Sequence, residues 1–258
     1  MASTRLASGA DLIVFDRLDS TNLEAHRRLA AGERGACWLL AREQTAGYGR
    51  RGAAWRAGRG DLAATLFAPA PTAHPPALVS FAAGLAVAEA LDAFAGPERV
   101  ALKWPNDVLL DGGKVAGLIL EWIPAGGGRA AVDALVVGVG VNIVTRPIGL
   151  AYPAARLADA AEGVAAEDLL GRIDARLTAR RADLTARGFG PLRAAWLDRA
   201  AGLRRRIRVK TPAQTLDGVF DGLDADGALL LRQQAGARPR RVAAGAVYFP
   251  DADLPNPG

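Results

Sequence analysis

The sequence predicts an α/β domain followed by a small β-barrel-like module. Apolar runs of strand length alternate with segments of helical period up to about residue 200. One of those segments, Pro76 to Phe94, is long, Ala-rich and apolar enough to be a buried helix. From about Leu203 the pattern switches to short alternating strands punctuated by Asp-Gly pairs. A chain of 258 residues can bury a full core as one large domain, or as one large and one small.

Each element follows from its local pattern. Leu12 to Asp16 reads as a short strand, and Asp19-Ser20-Thr21-Asn22 then offers several N-cap residues. Thr21 and Glu24 have capping-box spacing, ahead of a helix over Leu23 to Ala30. Cys37 to Ala41 is a strand, residues 42–60 a long Gly/Arg loop, and Asp61 to Phe67 a further strand. The Pro76 to Phe94 helix leads to a strand at Val100 to Lys103. A hairpin follows, with Val108 to Leu110 and Lys114 to Trp122 joined at Asp111-Gly112-Gly113. A turn at Gly126-Gly127-Gly128 returns the chain into the apolar strand Ala134 to Ile143. Residues 156–187 and Pro191 to Ala200 read as helices. Turn signals at Asp217-Gly218, Asp221-Gly222 and Asp226-Gly227 punctuate the module that follows. The divisions expected are 1–200, 203–250 and a disordered tail at 251–258.

Composition narrows the chemistry. No apolar run is long enough to span a bilayer, and Met1 to Ala10 lacks a secretory signal pattern, so a cytoplasmic protein without a membrane partner is expected. Cys37 is the only cysteine, which excludes an internal disulfide framework; its apolar neighbours make it a buried strand residue. His26 and His74 have no Cys or His neighbour at ligand spacing, so no metal site is assigned and histidine triads are set aside. The net charge of +5 raises the question of nucleic acid. Its tightest cluster, Arg204-Arg205-Arg206 with Arg208 and Lys210, is short and reads first as a solvated strand face, then as a surface for an acidic protein.

Two segments carry the functional signal. Gly47-Tyr48-Gly49-Arg50-Arg51-Gly52 places two guanidinium forks, suited to carboxylate or phosphate, in a turn whose glycines permit close approach. It matches the dinucleotide fingerprint literally, but Ala53 to Gly60 is too broken by glycine to be the helix that reading needs. Gln44 before the loop and Trp55 after it offer an amide for a polar ring and an aromatic for a base. Lys103-Trp104-Pro105-Asn106-Asp107 then sets a cation, an aromatic and an amide–carboxylate pair at a strand end, and Lys114, Ala116 and Gly117 follow.

With Asp19-Ser20-Thr21-Asn22 and Val137-Gly138-Val139-Gly140-Val141-Asn142, these segments resemble the catalytic core of biotin–protein ligases, in the family's order and over residues 10–250. The resemblance implies a class II synthetase-like core, a mixed sheet flanked by helices, with an SH3-like C-terminal β-barrel. It implies formation of biotinyl-5′-AMP from biotin and ATP, assisted by Mg²⁺, then transfer to a lysine of a biotin carboxyl carrier domain of acetyl-CoA carboxylase or a related carboxylase. By the same resemblance Ser20, Thr21, Asn22 and Gln44 hold the ureido ring, and Gly47, Tyr48, Gly49, Arg50 and Arg51 fold over the ligand. Trp55 stacks near adenine, and Lys114, with Lys103 and Gly117 beside it, meets the carboxylate and α-phosphate. Asn106 and Asp107 lie at the reacting groups, and Asn142 on the nucleotide side. Catalytic roles fall to Lys114, Arg50, Asp107 and Asn106.

Tyr48 departs from the family pattern, which has arginine there, so altered affinity or loop order is expected with activity retained. The motifs begin within about 20 residues of Met1, which leaves no room for the DNA-binding domain of some relatives; no DNA partner is expected. Relatives pair through sheet edges, so a homodimer is among the expectations. Two alternatives stay open: a lipoate or octanoate ligase of the same superfamily, and a catalytically silent binding module or nucleic-acid protein on the same core.

Overall fold

The computed structural model of the chain describes residues 3–70, 74–124, 133–150 and 152–249. Its larger sheet contains β1 (Ser3–Arg5), β2 (Asp11–Phe15), β3 (Cys37–Ala41), β4 (Leu62–Pro69), β5 (Val100–Lys103), β6 (Asp107–Leu110), β7 (Gly113–Ile123) and β8 (Ala134–Val141). Their order is β1-β2-β3-β4-β8-β7-β6-β5. Strands β2 and β3 are parallel, and the other neighbours pair antiparallel. Parallel neighbours need a crossover, here supplied by α1 (Thr21–Ala30). The sheet is therefore mixed, as expected.

Side-chain alternation sends the two faces of this sheet to different partners. Leu135, Val137, Val139 and Val141 of β8, with Trp38 and Leu40 of β3, join the main core. That core includes α2 (Val79–Ala95), α3 (Ala166–Arg187) and α4 (Phe189–Asp198). Helix α2 is apolar around its circumference because α3 and α4 cover the side turned away from the sheet. The opposite face is smaller. There Ala134 and Val136 of β8 pack with Leu39, Phe67 and, from α1, Ala25 and Leu29. Cys37 belongs to this face, and burial pushes its thiol up to about 11.

The C-terminal module is a five-stranded antiparallel sheet of β9 (Arg206–Lys210), β10 (Thr215–Leu223), β11 (Leu229–Arg232), β12 (Arg240–Val242) and β13 (Ala246–Tyr248), in the order β12-β11-β10-β9-β13. Its Ile207, Val209, Phe220, Leu229 and Leu231 belong to the same core cluster as α2.

One strand is added and three sequence expectations are corrected. Strand β1 lacks an apolar pattern and was not anticipated; it forms by pairing with β2. The helix expected from residue 156 begins at Ala166, because Leu157 and Ala158 donate backbone hydrogen bonds to Asn142 and Ile143 and are held against the sheet end. Asp217-Gly218 and Asp221-Gly222 lie inside β10 instead of at turns. Gly218 is there because a Cβ would come within 2.7 Å of the Arg232 carbonyl oxygen, and Gly222 sits at a bulge opposite β11. The capping box is also absent: Ser20 is the N-cap without a side-chain cap bond, and Glu24 pairs with Arg27 and Arg28. The Asp226-Gly227 turn forms, with Gly227 at φ +80°. The expected Gly126–Gly128 turn and the 251–258 tail fall outside the described residues. Among the described residues no helix is long and apolar enough to cross a membrane.

Candidate active site

A cleft of about 360 Å³ opens on the α1 face of the large sheet. The alternation of β8 explains its position. Ala134 and Val136 face α1, so Gly138 and Gly140 face the same way farther along the strand, where they form a floor without side chains. A Cβ on Gly138 would collide with the Asn22 amide, and one on Gly140 with the Trp55 indole. Glycines normally weaken a strand interior; here they mark close approach.

One end of the cleft is polar and neutral. Ser20, Thr21 and Asn22, at the start of α1, are 2–5% exposed. The Thr21 backbone N–H donates to Gln44 Oε1 at 2.8 Å, and the Thr21 hydroxyl lies 3.1 Å from the same oxygen. Fully buried Thr65 donates its hydroxyl to Asn22 Oδ1 and lies 2.8 Å from the Thr21 hydroxyl. Asn22 Nδ2 is left buried without a partner, an orphan donor on the cleft wall. Thr65 was missed in the sequence, although a hydroxyl inside the apolar run of β4 was a legible signal.

The Gly/Arg segment forms a narrow hairpin along the cleft. The Trp55 backbone N–H donates to the Gly47 carbonyl at 3.0 Å, Tyr48 bridges to Ala54, and Arg50–Gly52 makes a tight turn with Arg51 in the left-handed region at φ +57°. Gly47 sits at its base, where a Cβ would be 2.7 Å from both Gln44 Nε2 and the Trp55 carbonyl oxygen. Tyr48, Gly49, Arg50, Arg51 and Trp55 line the cleft. Arg50 Nη1 donates to Asn106 Oδ1 at 3.0 Å and so tethers the hairpin to the opposite wall. Burial, with the charge of Glu121, raises the pKa of the Tyr48 phenol and keeps it neutral.

The other end is cationic. Lys103 Nζ lies 2.9 Å from Asp107 Oδ2 and Lys114 Nζ 2.7 Å from Asp107 Oδ1, all three side chains 12–16% exposed. Burial opposes the charged form of Asp107, but Lys114 and Lys103 outweigh it and hold the carboxyl below its ordinary value. Two ammonium groups on one carboxylate leave a net positive charge facing the cleft. Asn106 is fixed by a bond from its Nδ2 to the Leu118 carbonyl at 2.6 Å and by Leu118 N–H to its own carbonyl at 3.0 Å. Gly117 keeps space clear, since a Cβ would lie 3.2 Å from Lys114 Nζ and 3.3 Å from Trp55. The buried Trp104 indole N–H donates 3.1 Å to the Gly227 carbonyl, which ties the Trp-Pro turn to the C-terminal module.

Two candidates are not on the cleft wall. Gly47 shapes the hairpin base, and Asn142 stands outside the lining residues. Asn142 is 3% exposed and donates its amide to the Lys114 and Ala155 carbonyls at 3.3 and 3.1 Å, bracing the Lys114 backbone. Its terminal position in an apolar strand suits either role, and it was the family resemblance that implied the nucleotide side. Tyr152 and the β13 residues Ala246, Val247 and Tyr248 also line the cleft; nothing in their local sequence marked them.

The arrangement can hold a ligand that is polar and neutral at one end and anionic at the other, beneath an arginine-bearing hairpin. Residues 14–142 match the biotin/lipoate A/B protein ligase family, and residues 203–249 match the biotin protein ligase C terminal domain. A biotin–[acetyl-CoA-carboxylase] ligase of Paracoccus denitrificans is 42% identical over 241 residues, covering 90% of this chain and 98% of the relative. One of Mycobacterium tuberculosis is 33% identical over 251 residues, covering 92% of this chain and 88% of the relative. Among solved structures, a biotin protein ligase from Aquifex aeolicus in complex with biotin and ATP has a TM-score of 0.77 at 23% identity, covering 92% of this chain and 97% of that one. That last likeness is one of fold.

Proposed function

The chain belongs to the biotin/lipoate A/B protein ligase family, and from that membership we propose that it activates biotin with ATP and transfers it to a carrier-protein lysine. The observation that carries this reading is the pairing of a neutral polar pocket with the Lys103–Asp107–Lys114 cluster at its other end. The ureido group of biotin would meet Ser20, Thr21, Gln44 and the unpartnered Asn22 Nδ2. Its valeryl carboxylate would then reach toward Lys114.

The first step forms a bond from a biotin carboxylate oxygen to the α-phosphorus of ATP and breaks the bond to pyrophosphate. Lys114 and Lys103 would offset the negative charge that concentrates on the α-phosphoryl oxygens, in a place already shaped for it. In the second step the neutral amine of a carrier lysine forms an amide with the biotinyl carbon. The acyl–phosphate bond breaks, and AMP and a proton leave. The hairpin, tethered by Arg50 to Asn106, would keep water from the mixed anhydride. Positioning supplies much of the rate, and no side-chain nucleophile is required.

Magnesium belongs to the expected reaction as a counterion that neutralises the triphosphate. Asp107 is the only carboxylate among the described cleft-lining residues, and both its oxygens are taken by lysines. No group of three or more His, Cys, Asp or Glu side chains suited to a metal occurs among the described residues. The described residues therefore offer no carboxylate cage for the ion, which would enter with the nucleotide.

The carrier is read as a biotin carboxyl carrier domain of acetyl-CoA carboxylase or a related carboxylase, met in the cytoplasm. ATP–pyrophosphate exchange, run separately with biotin, lipoate, octanoate and no acid, tests the reading. Exchange confined to biotin, followed by AMP-releasing transfer to a carrier domain, is the expected result. Exchange with lipoate or octanoate instead would move the chain to the other branch of its family.

A further inference from the structure

We propose that Tyr152 is a positioning residue for the adenylation step, its aromatic face holding the Lys103 and Lys114 ammonium groups in place above Asp107; this rests on the ligase reading. Both nitrogens lie close to that one ring, Lys103 Nζ 5.5 Å and Lys114 Nζ 5.4 Å from its centroid. Cation–π attraction operates within about 6 Å. Asp107 can offset only one of the two charges, and lysine stems lose considerable rotamer freedom when fixed. Without a second restraint, one ammonium would gain by turning out to water. The π face of Tyr152 supplies that restraint without adding a negative charge that would repel a phosphate.

The backbone next to the ring is anchored. Lys114 N–H donates to the Pro153 carbonyl at 2.8 Å, and Ala155 N–H donates to the Lys114 carbonyl at 3.0 Å. The chain that carries Tyr152 is thus bonded to the backbone of a lysine that Tyr152 covers. Burial, with the negative charge of Asp107, raises the pKa of the phenol, so it stays neutral and meets the lysines as an aromatic face. Lys114 also lies 5.8 Å from the Trp55 ring, so its nitrogen sits between two aromatic faces. Trp55 belongs to the hairpin, whereas the segment that carries Tyr152 is bonded to β7 through Pro153 and Ala155.

The test replaces Tyr152 by Phe, by Leu and by phenylalanines carrying increasing numbers of ring fluorines. Fluorination weakens the π face at nearly constant shape and so separates cation–π attraction from packing. Tyr152→Phe should keep biotin-dependent pyrophosphate exchange within about twofold of wild type. Tyr152→Leu should lower its kcat/KM for ATP roughly tenfold, the scale of a partly desolvated cation–π contact. The fluorinated series should fall between them in order of fluorine count, with the biotin dissociation constant changed less than threefold. A flat fluorine series, or Phe as impaired as Leu, would overturn the proposal, and the fluorinated set decides the matter even if the Leu variant fails to fold. Absence of exchange in the wild-type protein would instead count against the ligase reading itself.

Discussion

Replacing Lys114 by methionine isolates the charge on which adenylation is expected to depend. The stem keeps its length, so what leaves is an ammonium that now sits 2.7 Å from Asp107 Oδ1 and beside the space cleared by Gly117. A phosphoryl oxygen about 4 Å from that nitrogen, at an effective dielectric of about 20, would gain roughly 4 kcal/mol. That corresponds to about a thousandfold in rate if the interaction is realised mainly in the transition state. Loss of a single preorganised oxyanion donor costs about 10²–10³ in other enzymes, which agrees. The fold should survive, because Asp107 retains Lys103 at 2.9 Å. Stripping a buried charge of every partner costs about 3–5 kcal/mol, and this variant avoids that. Biotin-dependent pyrophosphate exchange should therefore drop 10²–10³-fold, with thermal unfolding nearly unchanged and the neutral polar pocket still able to bind biotin. Exchange within threefold of wild type, in a folded variant, would refute the electrostatic reasoning and take Lys114 off the list of catalytic residues.

Four other expectations follow from the same geometry. Arg50→Gly removes the tether to Asn106, so biotinyl-AMP should escape and label bystander proteins; unchanged selectivity, read by streptavidin blot of a protein mixture, would contradict this. Gly140→Ala should weaken nucleotide binding at least tenfold, because its methyl group enters the space of the Trp55 indole; calorimetry with a non-hydrolysable ATP analogue measures it. Asp107 has a folded pKa below its unfolded value of about 3.9, so its stabilising contribution is complete above that value and lost as pH falls through the folded pKa. Melting temperatures of the wild type should accordingly fall more steeply below about pH 4 than those of Asp107→Asn, and parallel curves would exclude the linkage. Deleting residues 203–258 should lower ATP affinity and stability more than biotin affinity, since it uncovers Trp104 and strips β13 from the cleft; a truncated chain with full transfer activity would remove the module from the site.

Much of this was legible in the sequence because the site is built from contiguous stretches. Strand β3 spans Cys37–Ala41 and β5 spans Val100–Lys103, as their apolar runs indicate. The Lys-Trp-Pro-Asn-Asp turn delivers Asn106 and Asp107 to one wall by chain continuity alone. Lys114 was harder to place: it lies on the next strand, and a bulge between Val108 and Leu109 shifts the β6–β7 register near it. What stayed hidden depends on distant pairing. Tyr152 reaches the lysines only because its segment bonds to β7, 38 positions earlier at Lys114. Asp61 accepts backbone N–H bonds from Ile143, Val144 and Thr145 on one oxygen and from Gly58 on the other. It thereby locks the exit of the hairpin loop to the end of β8, yet in sequence it is one acidic residue before a strand. Asn142, which the family resemblance puts on the nucleotide side, here braces the Lys114 and Ala155 carbonyls, and a polar residue at a strand end looks the same in sequence for either role.

These hidden contacts share a consequence for how the cleft works. Its cationic end is assembled from three chain regions: the β5–β7 hairpins, the segment after β8, and β13 of the C-terminal module. Trp104 is the joint among them, since the same turn that orients Asp107 receives the Gly227 carbonyl on its indole N–H. A Cβ at Gly245 would lie 3.6 Å from the Trp104 ring, so the module also comes close to that indole. The neutral end draws instead on α1, Gln44 and Thr65, with no residue of the C-terminal module near it in the hydrogen-bond network described. The two ends thus draw on different parts of the chain. Displacement of the module would disturb the ammonium cluster while leaving the polar pocket in place.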